Sequence, residues 1–197
     1  EITDLLDFIE RETGQIAVNL IYPSWVIYSN GFASTHYLRN SLDWLFNAII
    51  AGCLLLLTWP VMLLAVVIMK ITEGIRAPIL YTQERVGLDG EPFNIFKFRS
   101  MCLDAEKGGA QMASENDSRI TFVGQYLRKY RIDELPQIWN IFHGDMGFVG
   151  PRPERPEFVQ DLIKNLPYYN ERHNVKPGLS GWAQLKYPYG ASEADSL

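Results

Sequence analysis

The chain has 197 residues, enough for one domain with short extensions, and carries 23 acidic and 18 basic side chains for a net charge of −5. This acidic balance argues against a nucleic-acid-binding protein, because no basic surplus is available to neutralise phosphates. Two separated cysteines and three scattered histidines exclude a disulfide framework and a cysteine- or histidine-ligated zinc site.

The first 37 residues are interpreted as the end of a preceding soluble domain or linker. Residues 3–13 have the pattern of a short amphipathic helix, and QIAVNLIYPSWVIYS is typical of two short strands separated at Pro23. Because the sequence starts at Glu1 and not at methionine, we expect it to be a piece of a longer protein.

An uncharged apolar segment follows, running from Trp44 to Met69 with the sequence WLFNAIIAGCLLLLTWPVMLLAVVIM. A run of more than about 18 apolar residues predicts a membrane helix in preference to a buried helix of a soluble core. We therefore assign residues 38–72 to a membrane segment.

Two topologies of this segment remain open. Pro60 lies near its middle, where a proline removes a backbone hydrogen bond and clashes with the preceding turn. Arg39 precedes the segment and Lys70 follows it, so the charge asymmetry of an ordinary spanning helix is absent. These features favour a re-entrant helix, which returns to the same membrane face, over a helix that spans the bilayer.

Residues 73–197 are predicted to form a compact, mostly helical α/β (α+β) domain. Its first part, APILYTQERVGLDGEPFNIFKFRSM, is typical of a small β-hairpin that turns at GLDG. Alternation along the second strand places Lys97 and Arg99 on one face. Residues 104–118 are predicted to form a polar surface loop, and a helical pattern resumes between Ile120 and Tyr130.

A later helix, RPEFVQDLIKNL, carries one apolar stripe formed by Phe158, Val159, Leu162 and Ile163. The stripe fits either a core contact or a membrane interface, and the pattern leaves both open. Beyond it, KPGLSGW has two turn signals and fits either a structural turn or a turn beside a functional site.

The segment DELPQIWNIFHG begins with two adjacent carboxylates, Asp133 and Glu134. Because proline is tolerated only in the first helical turn, Pro136 predicts a helix that starts near Asp133. The pair would then lie at a helix N-terminus, which binds anions, or Asp133 would be an ordinary N-cap. The predicted buried face of this helix consists of Leu135, Ile138, Trp139 and Phe142.

Basic side chains accompany the acidic pair. Arg152 lies between Pro151 and Pro153, which restrict its backbone and reduce the entropy lost on binding an anion. A carboxylate among cations, attached to a membrane helix, indicates phosphoryl transfer on a lipid-borne phosphate, with the carboxylate as nucleophile and Mg²⁺ bridging it to phosphate oxygens. The predicted phosphate-binding residues are Lys97, Arg99, Arg128 and Arg152.

Three segments resemble, in this order, the motifs of the bacterial sugar transferases, or monotopic phosphoglycosyl transferases: QERVGLDGEPFNIFKFRSM, RIDELPQIWNIFHGDMGFVGPRP and HNVKPGLSGWAQ. The resemblance extends from about Tyr37 to Tyr189 and is strongest to the long exopolysaccharide-type members. It implies a catalytic domain with a re-entrant membrane helix, on the cytoplasmic face of the bacterial inner membrane. Because members of the family continue beyond the last motif, we expect residues 73–197 to be a C-terminally shortened catalytic domain.

The resemblance also implies a reaction. A sugar-1-phosphate moves from a UDP-sugar to polyprenyl (undecaprenyl) phosphate, UMP is released, and an aspartate carries the phosphosugar covalently. Such an enzyme initiates exopolysaccharide or glycoconjugate synthesis, uses Mg²⁺ and contacts membrane lipids. A homodimer is compatible with the resemblance.

Residue roles follow from positions in the matching motifs. Asp133 corresponds to the nucleophile and magnesium neighbour, and Glu134 to the accompanying acid/base or metal-orienting group. The basic phosphate-binding positions correspond to Lys97, Arg128 and Arg152. The other implied positions are Gln83, Arg85, Gly87, Pro151 and Pro153 near the site, Thr58, Trp59 and Pro60 at the helix break, and Arg39 and Asp43 at the membrane interface.

Two other functions remain open from the sequence. One is a non-catalytic, membrane-anchored scaffold that binds lipid phosphates. The other is a membrane-tethered phosphotransferase with a soluble substrate. No motif in the sequence identifies the sugar.

Overall fold

A computed structural model describes residues 5, 8, 9, 12, 37–105, 117–166, 168–181 and 184. Residues 5, 8, 9 and 12 are helical, in agreement with the helix predicted over residues 3–13. The two strands predicted after that helix lie outside the described residues, as does most of the predicted 104–118 loop.

The first helix of the described region, α1 (Tyr37–Glu73), contains 37 residues. One narrow stripe along it is buried or half-buried, and the stripe recurs every three or four residues, which is the helical period. The stripe contacts the rest of the protein along both halves of the helix, through two separate clusters. Its members include Asn47, Ala51, Leu54, Thr58, Met62, Ala65 and Met69.

Helical structure is continuous through Pro60. The predicted break at Thr58, Trp59 and Pro60 is therefore not seen as an interruption of α1, and the re-entrant topology stays a prediction. Thr58 donates its hydroxyl to the Leu54 carbonyl at 2.7 Å, a bond that bends helices slightly. It does not satisfy the carbonyl of Leu56, which loses its helical donor to the proline.

The remaining surface of α1 is apolar and exposed. From Asn40 to Glu73 the helix is long and apolar enough to cross a membrane, and only 11% of its 18-residue apolar window is buried. Large exposed side chains include Phe46, Leu56, Trp59 and Leu64. An apolar surface of this size indicates a contact with a membrane or with another protein, and its length and composition fit the predicted membrane contact.

The predicted hairpin is confirmed. β1 (Leu80–Val86) pairs antiparallel with β2 (Pro92–Phe98), and a short 3₁₀ turn (Leu88–Gly90) joins them. Asp89 and Gly90 both have positive φ in that turn.

Beyond the hairpin, α2 (Phe122–Lys129) confirms the helix predicted in this region. It packs tightly on the segment that follows β2, since a Cβ added at Gly124 would lie 2.0 Å from the Ser100 carbonyl oxygen. Val123 and Leu127 of α2 join Ala65 and Met69 of α1 in one buried cluster. The membrane helix is thereby part of the core of the domain.

The acidic pair does not start an α-helix. Asp133 and Glu134 lie in a 3₁₀ turn (Ile132–Glu134), and α3 (Gln137–His143) begins only after Pro136. Arg131, which precedes the turn, has a left-handed backbone with φ of 57°. The predicted helix start near Asp133 is therefore wrong by one turn, and the pair does not lie at the N-terminus of an α-helix.

The buried face of α3 also differs from the prediction. Ile138 and Ile141 are buried, whereas Trp139 is 53% exposed and Phe142 is 42% exposed. The Trp139 and Phe142 rings stack on each other at a centroid distance of 5.8 Å. The helical period of apolar residues predicted that both side chains are buried. In a protein with an apolar outer surface, however, an apolar side chain need not face the core.

Asn140 fastens α3 to the hairpin. Its side chain is fully buried, donates to the Asn94 carbonyl at 2.7 Å and accepts from the Phe96 amide at 3.2 Å. It also donates to Asp145 at 3.0 Å. These bonds hold β2 beside the helix that follows the acidic pair.

A second, parallel pair of strands forms from β3 (Gly147–Val149) and β4 (Gly178–Ser180). The Asn47 side chain of α1 accepts a hydrogen bond of 3.1 Å from the Phe148 amide, which anchors β3 to the membrane helix. The chain then passes directly from β3 into the segment Gly150–Pro153.

The stripe predicted on RPEFVQDLIKNL packs mainly on the core. In α4 (Pro156–Asn165), Val159 and Leu162 are buried with Val86 and Tyr169, and Phe158 packs against them. Ile163 is 44% exposed. The last 3₁₀ segment (Tyr169–Asn174) leads from α4 towards β4.

Glycine is required where β4 meets the chain after β3. A Cβ added at Gly178 would lie 2.1 Å from the Gly150 nitrogen, and Gly178 N–H donates to the Pro151 carbonyl at 3.0 Å.

We predict that Gly178→Ala destabilises the protein by about 1–3 kcal/mol, because backbone atoms must move apart. Thermal unfolding in detergent micelles measures the loss. Gly52→Ala is the comparison, since an added Cβ there makes only an ordinary contact, 3.7 Å from a ring carbon of Phe142, and equal melting temperatures for wild type and Gly178→Ala would contradict the prediction.

Candidate active site

The acidic pair meets the hairpin through an ion pair between Lys97 of β2 and Glu134. Lys97 Nζ lies 3.3 Å from Glu134 Oε1, and both side chains are 19% exposed. Arg131 Nη1 lies 3.6 Å from the other Glu134 oxygen but is itself 61% exposed. Lys97 is therefore the better-buried partner of Glu134.

Asp133 has a different environment from Glu134. It is 7% exposed, and its Oδ1 atom is buried without a hydrogen-bond partner. The pKa of Asp133 is raised to about 6, first by burial and then by the neighbouring Glu134 carboxylate. Lys97, Arg128 and Arg131 act in the opposite direction but do not outweigh burial.

The pKa of Glu134 shifts the other way. Burial by itself would raise it, but the nearby cations, of which Lys97 contributes most, hold it below its usual value. Burial lowers the pKa of Lys97, with Glu134 opposing that change. The two adjacent carboxyl groups thus differ in proton affinity because only one of them is paired.

Arg128 approaches Asp133 from α2. Its Nε donates to the hydroxyl of Ser100 at 2.9 Å, which holds the guanidinium between α2 and the end of the hairpin. The close contact of Gly124 with Ser100 sets this distance.

Arg85 of β1 fastens the GPRP segment, residues 150–153. It donates to the Pro153 carbonyl at 3.0 Å and to the Gln83 carboxamide oxygen at 2.6 Å, and pairs with Glu154 at 3.5 Å. Burial lowers the pKa of Arg85 to about 10. The predicted near-site residues Gln83, Arg85 and Pro153 therefore form one connected group.

Arg152 keeps its side chain accessible while its backbone is held. The side chain is 46% exposed, with Nε 3.9 Å from Glu154. Its carbonyl accepts a hydrogen bond of 2.8 Å from Arg172. Arg152 is thus a positioned cation with donors left for an anion.

A small cavity of about 20 Å³ lies among these groups, room for one or two water molecules. It brings Lys97 and Arg152 together with Glu134, as predicted, while the buried Asp133 does not line it. Gly178 and Leu179 of the KPGLSGW segment line the cavity, which supports the interpretation of this segment as a turn beside the site. The cavity is lined by Arg85, Ile95, Lys97, Glu134, Gln137, Arg152, Pro153, Gly178, Leu179 and Gln184.

Arg99 is not brought to this cavity. Its guanidinium pairs with Glu73 at the end of α1 and donates to the Pro78 carbonyl. β2 ends at Phe98, so the strand alternation that placed Arg99 beside Lys97 no longer applies. Arg99 therefore braces the junction of the membrane helix with the hairpin.

The other predicted positions lie at the periphery. Gly87 closes the hairpin turn, where its N–H donates to the Glu91 carbonyl at 2.8 Å. Asp43 is exposed near the start of α1, and Arg39 lies in the same helix. Both are placed where an interface anchor would be, and that role stays a prediction.

Sequence reasoning missed Gln137 and Asn140. Both are polar and almost fully buried, and Gln137 lines the cavity. Their signal was available, because buried polar side chains in an apolar helix need partners and often mark a function.

Magnesium binding by the acidic pair stays a prediction, and the chemistry of the two carboxylates is compatible with it. Within the described residues, no three His, Cys, Asp or Glu side chains form a complete metal site. Mg²⁺ bound together with phosphates needs only one or two carboxylates, because water and phosphate oxygens supply the other ligands. Asp133 and Glu134 supply carboxylates in that number.

Comparison with known proteins places this site in a family. The family model described as bacterial sugar transferase matches residues 38–196. The chain belongs to the bacterial sugar transferase family. The family assignment covers the membrane helix, the acidic pair and the GPRP segment together.

Named relatives in this family are undecaprenyl-phosphate sugar phosphotransferases. A UDP-N-acetylgalactosamine-undecaprenyl-phosphate N-acetylgalactosaminephosphotransferase of Aeromonas hydrophila is 46% identical over 70% of this chain and 32% of its own length. A UDP-glucose:undecaprenyl-phosphate glucose-1-phosphate transferase of Xanthomonas campestris pv. campestris is 42% identical over 93% of this chain and 37% of its own length. The chain thus spans about a third of the length of these curated relatives.

The ion pair of Lys97 and Glu134 can be tested by a mutant cycle. We predict that Lys97→Met destabilises the protein by about 3 kcal/mol, because it leaves a poorly solvated carboxylate without its closest cation. Lys97→Met combined with Glu134→Leu should recover part of that loss, since both charges are then removed. Denaturant unfolding in detergent micelles gives the free energies, and losses that simply add in the double variant would show that the two groups do not interact.

Proposed function

We propose that this chain carries the catalytic part of a phosphoglycosyl transferase that moves a sugar-1-phosphate from a UDP-sugar to polyprenyl phosphate. The observation that carries the proposal is the buried, unpartnered Oδ1 of Asp133 among cations. Free lone pairs on a carboxylate of raised pKa suit a nucleophile. Membership of the family and the printed names of its relatives support the reaction class.

The reaction exchanges one phosphorus–oxygen bond for another in each of two steps. First, Asp133 Oδ1 forms a bond to the β-phosphorus of the UDP-sugar, and the bond from that phosphorus to the bridging oxygen breaks. UMP leaves with that oxygen and the bonding electron pair. Second, an oxygen of polyprenyl phosphate bonds to the same phosphorus, the Asp133–phosphorus bond breaks, and the carboxylate is regenerated.

The neighbouring side chains have distinct tasks in this scheme. Arg152 and Arg128 bind phosphate oxygens and offset the charge that collects on them. Lys97 holds Glu134, which acts as the accompanying acid/base or metal-orienting group. Mg²⁺ held by Asp133 and Glu134 would neutralise diphosphate charge and make UMP a better leaving group.

We place the protein on the cytoplasmic face of the bacterial inner membrane and propose that α1 re-enters that face, although its helical structure continues through Pro60. Support comes from the clusters around Ala51 and Ala65, which pack both halves of α1 against one domain. An upright spanning helix would carry one half away across a hydrocarbon core of about 30 Å. A helix that stays beside the domain also keeps a lipid phosphate close to the acidic pair.

The proposed donor is a UDP-sugar, and its sugar is still to be identified. The relatives are named for N-acetylgalactosamine and for glucose, so similarity supports UDP-sugars as a class and not one of them. A panel of both UDP-sugars, scored by UMP release with undecaprenyl phosphate, identifies the donor.

We predict that the protein, incubated with UDP-sugar and Mg²⁺ but no lipid, gains the mass of one phosphosugar on Asp133. Intact-protein mass spectrometry of quenched samples measures the adduct. Asp133→Asn should form none, because the amide lacks a nucleophilic anionic oxygen.

The outcomes separate the alternatives. A non-catalytic scaffold would show no adduct in the wild type. A phosphotransferase with a soluble substrate would form the adduct but turn over without polyprenyl phosphate, whereas the proposed enzyme yields organic-extractable product only when that lipid is added.

Arg152→Ala should weaken the apparent affinity for UDP-sugar by about 10-fold or more, because a charge-assisted phosphate contact is lost. Steady-state UMP release gives the KM. Lys164→Ala is the matched control: it removes the same charge from α4, where the side chain is 73% exposed and pairs only with Asp161 among the described residues. Similar KM values for the two variants would remove Arg152 from the substrate site.

A further inference from the structure

Gln137 is the first residue of α3, and its side chain has an unusual environment. The residue is only 4% exposed, yet its Nε2 atom is buried without a hydrogen-bond partner. A buried amide donor without an acceptor destabilises the folded state. Such a group calls for a specific explanation.

The surroundings of Gln137 indicate an anionic ligand. Gln137 lines the same cavity as Lys97 and Arg152, so its carboxamide shares a space with two cations. The terminal torsion of glutamine is broad and roughly two-fold, so a small rotation turns the N–H bonds towards the cavity. An anion with several oxygens can accept from the amide and from the cations at once.

Asp133 precedes Gln137 by four residues. Its Oδ1 atom is a buried hydrogen-bond acceptor without a partner, whereas the Gln137 Nε2 atom is a buried donor without one. One buried acceptor and one buried donor without hydrogen-bond partners therefore lie four residues apart, on either side of Glu134 along the chain. A phosphoryl group carried on Asp133 and extending into the cavity beside Gln137 would satisfy both atoms. Its phosphorus bonds to the carboxylate oxygen, and one of its non-bridging oxygens accepts from the amide.

We propose that the carboxamide of Gln137 is a substrate-binding donor that hydrogen-bonds a non-bridging oxygen of the phosphoryl group being transferred. The inference rests on the proposed function and adds a neutral donor to the cations already placed there. A neutral amide can follow that oxygen through both steps, because the oxygen keeps its negative charge while the bonds to phosphorus change. The carboxamide then stabilises the phosphorylated enzyme as well as the donor complex.

The first test is single-turnover formation of the phosphosugar adduct, measured by quenched-flow mass spectrometry with UDP-glucose or UDP-N-acetylgalactosamine. Gln137→Met keeps the length of the side chain but removes the donor, and it should slow the adduct by about 10- to 100-fold. Gln137→Glu should slow it at least as much, because a carboxylate repels phosphate. Gln160→Met, on the exposed side of α4, should match the wild type.

The second test separates a contact with substrate from a role in orienting Asp133. In protein that already carries Asp133→Asn, Gln137→Met should weaken the binding of UDP by about 10-fold in calorimetric titrations. If Gln137 acts only by orienting Asp133, the substitution changes nothing in that background. Melting temperatures no lower than those of the parent proteins show that the Gln137→Met variants are folded, and the loss of an unpartnered buried donor is expected to raise them.

The outcomes distinguish this inference from the proposed function. An adduct in the wild type that forms at the same rate in Gln137→Met, with UDP binding unchanged, overturns the role of Gln137 alone. The absence of any adduct in the wild type overturns the proposed function, and the titration with UDP still tests the contact of Gln137 with a diphosphate.

Discussion

The ion pair of Lys97 and Glu134 lies where the hairpin meets the 3₁₀ turn of the acidic pair, and the chemistry of the site depends on it. Lys97 neutralises one of two adjacent carboxylates and leaves the other without a partner. Two unpaired carboxylates in one buried site could not both stay ionised at neutral pH. With Glu134 paired, Asp133 remains the group whose pKa is raised, first by burial and then by the Glu134 carboxylate, and its unpartnered oxygen suits the proposed nucleophile.

This arrangement cannot be separated from the membrane helix. Ala65 and Met69 of α1 pack with α2, which carries Arg128, and Asn47 anchors β3, which leads into Arg152. Removing α1 would expose both clusters to water, so the domain has no complete core of its own. The same helix therefore helps to determine where Arg128 and Arg152, the proposed phosphate-binding arginines, lie relative to Asp133.

Elements with a regular period could be predicted from the sequence, and departures from regularity could not. Alternation located the hairpin, and a 3.6-residue period located α2 and α4. Arg131 has a left-handed backbone conformation, which glycine usually signals in a sequence. Because no glycine stands there, the later start of α3 could not be predicted. Apolar periodicity also cannot distinguish a core face from a lipid face, and Trp139 and Phe142 were assigned to the wrong one.

The charged residues of the candidate site could be predicted from the sequence, but the hydrogen bonds that hold them in place could not. Motif resemblance placed the acidic pair and Arg152 together, because adjacency of charged groups in a motif survives any error in the intervening structure. Arg85, by contrast, acts through hydrogen bonds to the Pro153 carbonyl and to Gln83. A backbone carbonyl is present in every residue, so the sequence does not indicate which one accepts a bond. The precise positions of the proposed phosphate-binding groups depend on such bonds, since a shift of about 1 Å in a reacting group can lower the rate by about 100-fold. The rigidity of the GPRP segment, held on one side by Arg85 and on the other by the glycine contact with β4, is therefore as much part of the proposed catalysis as the charges themselves.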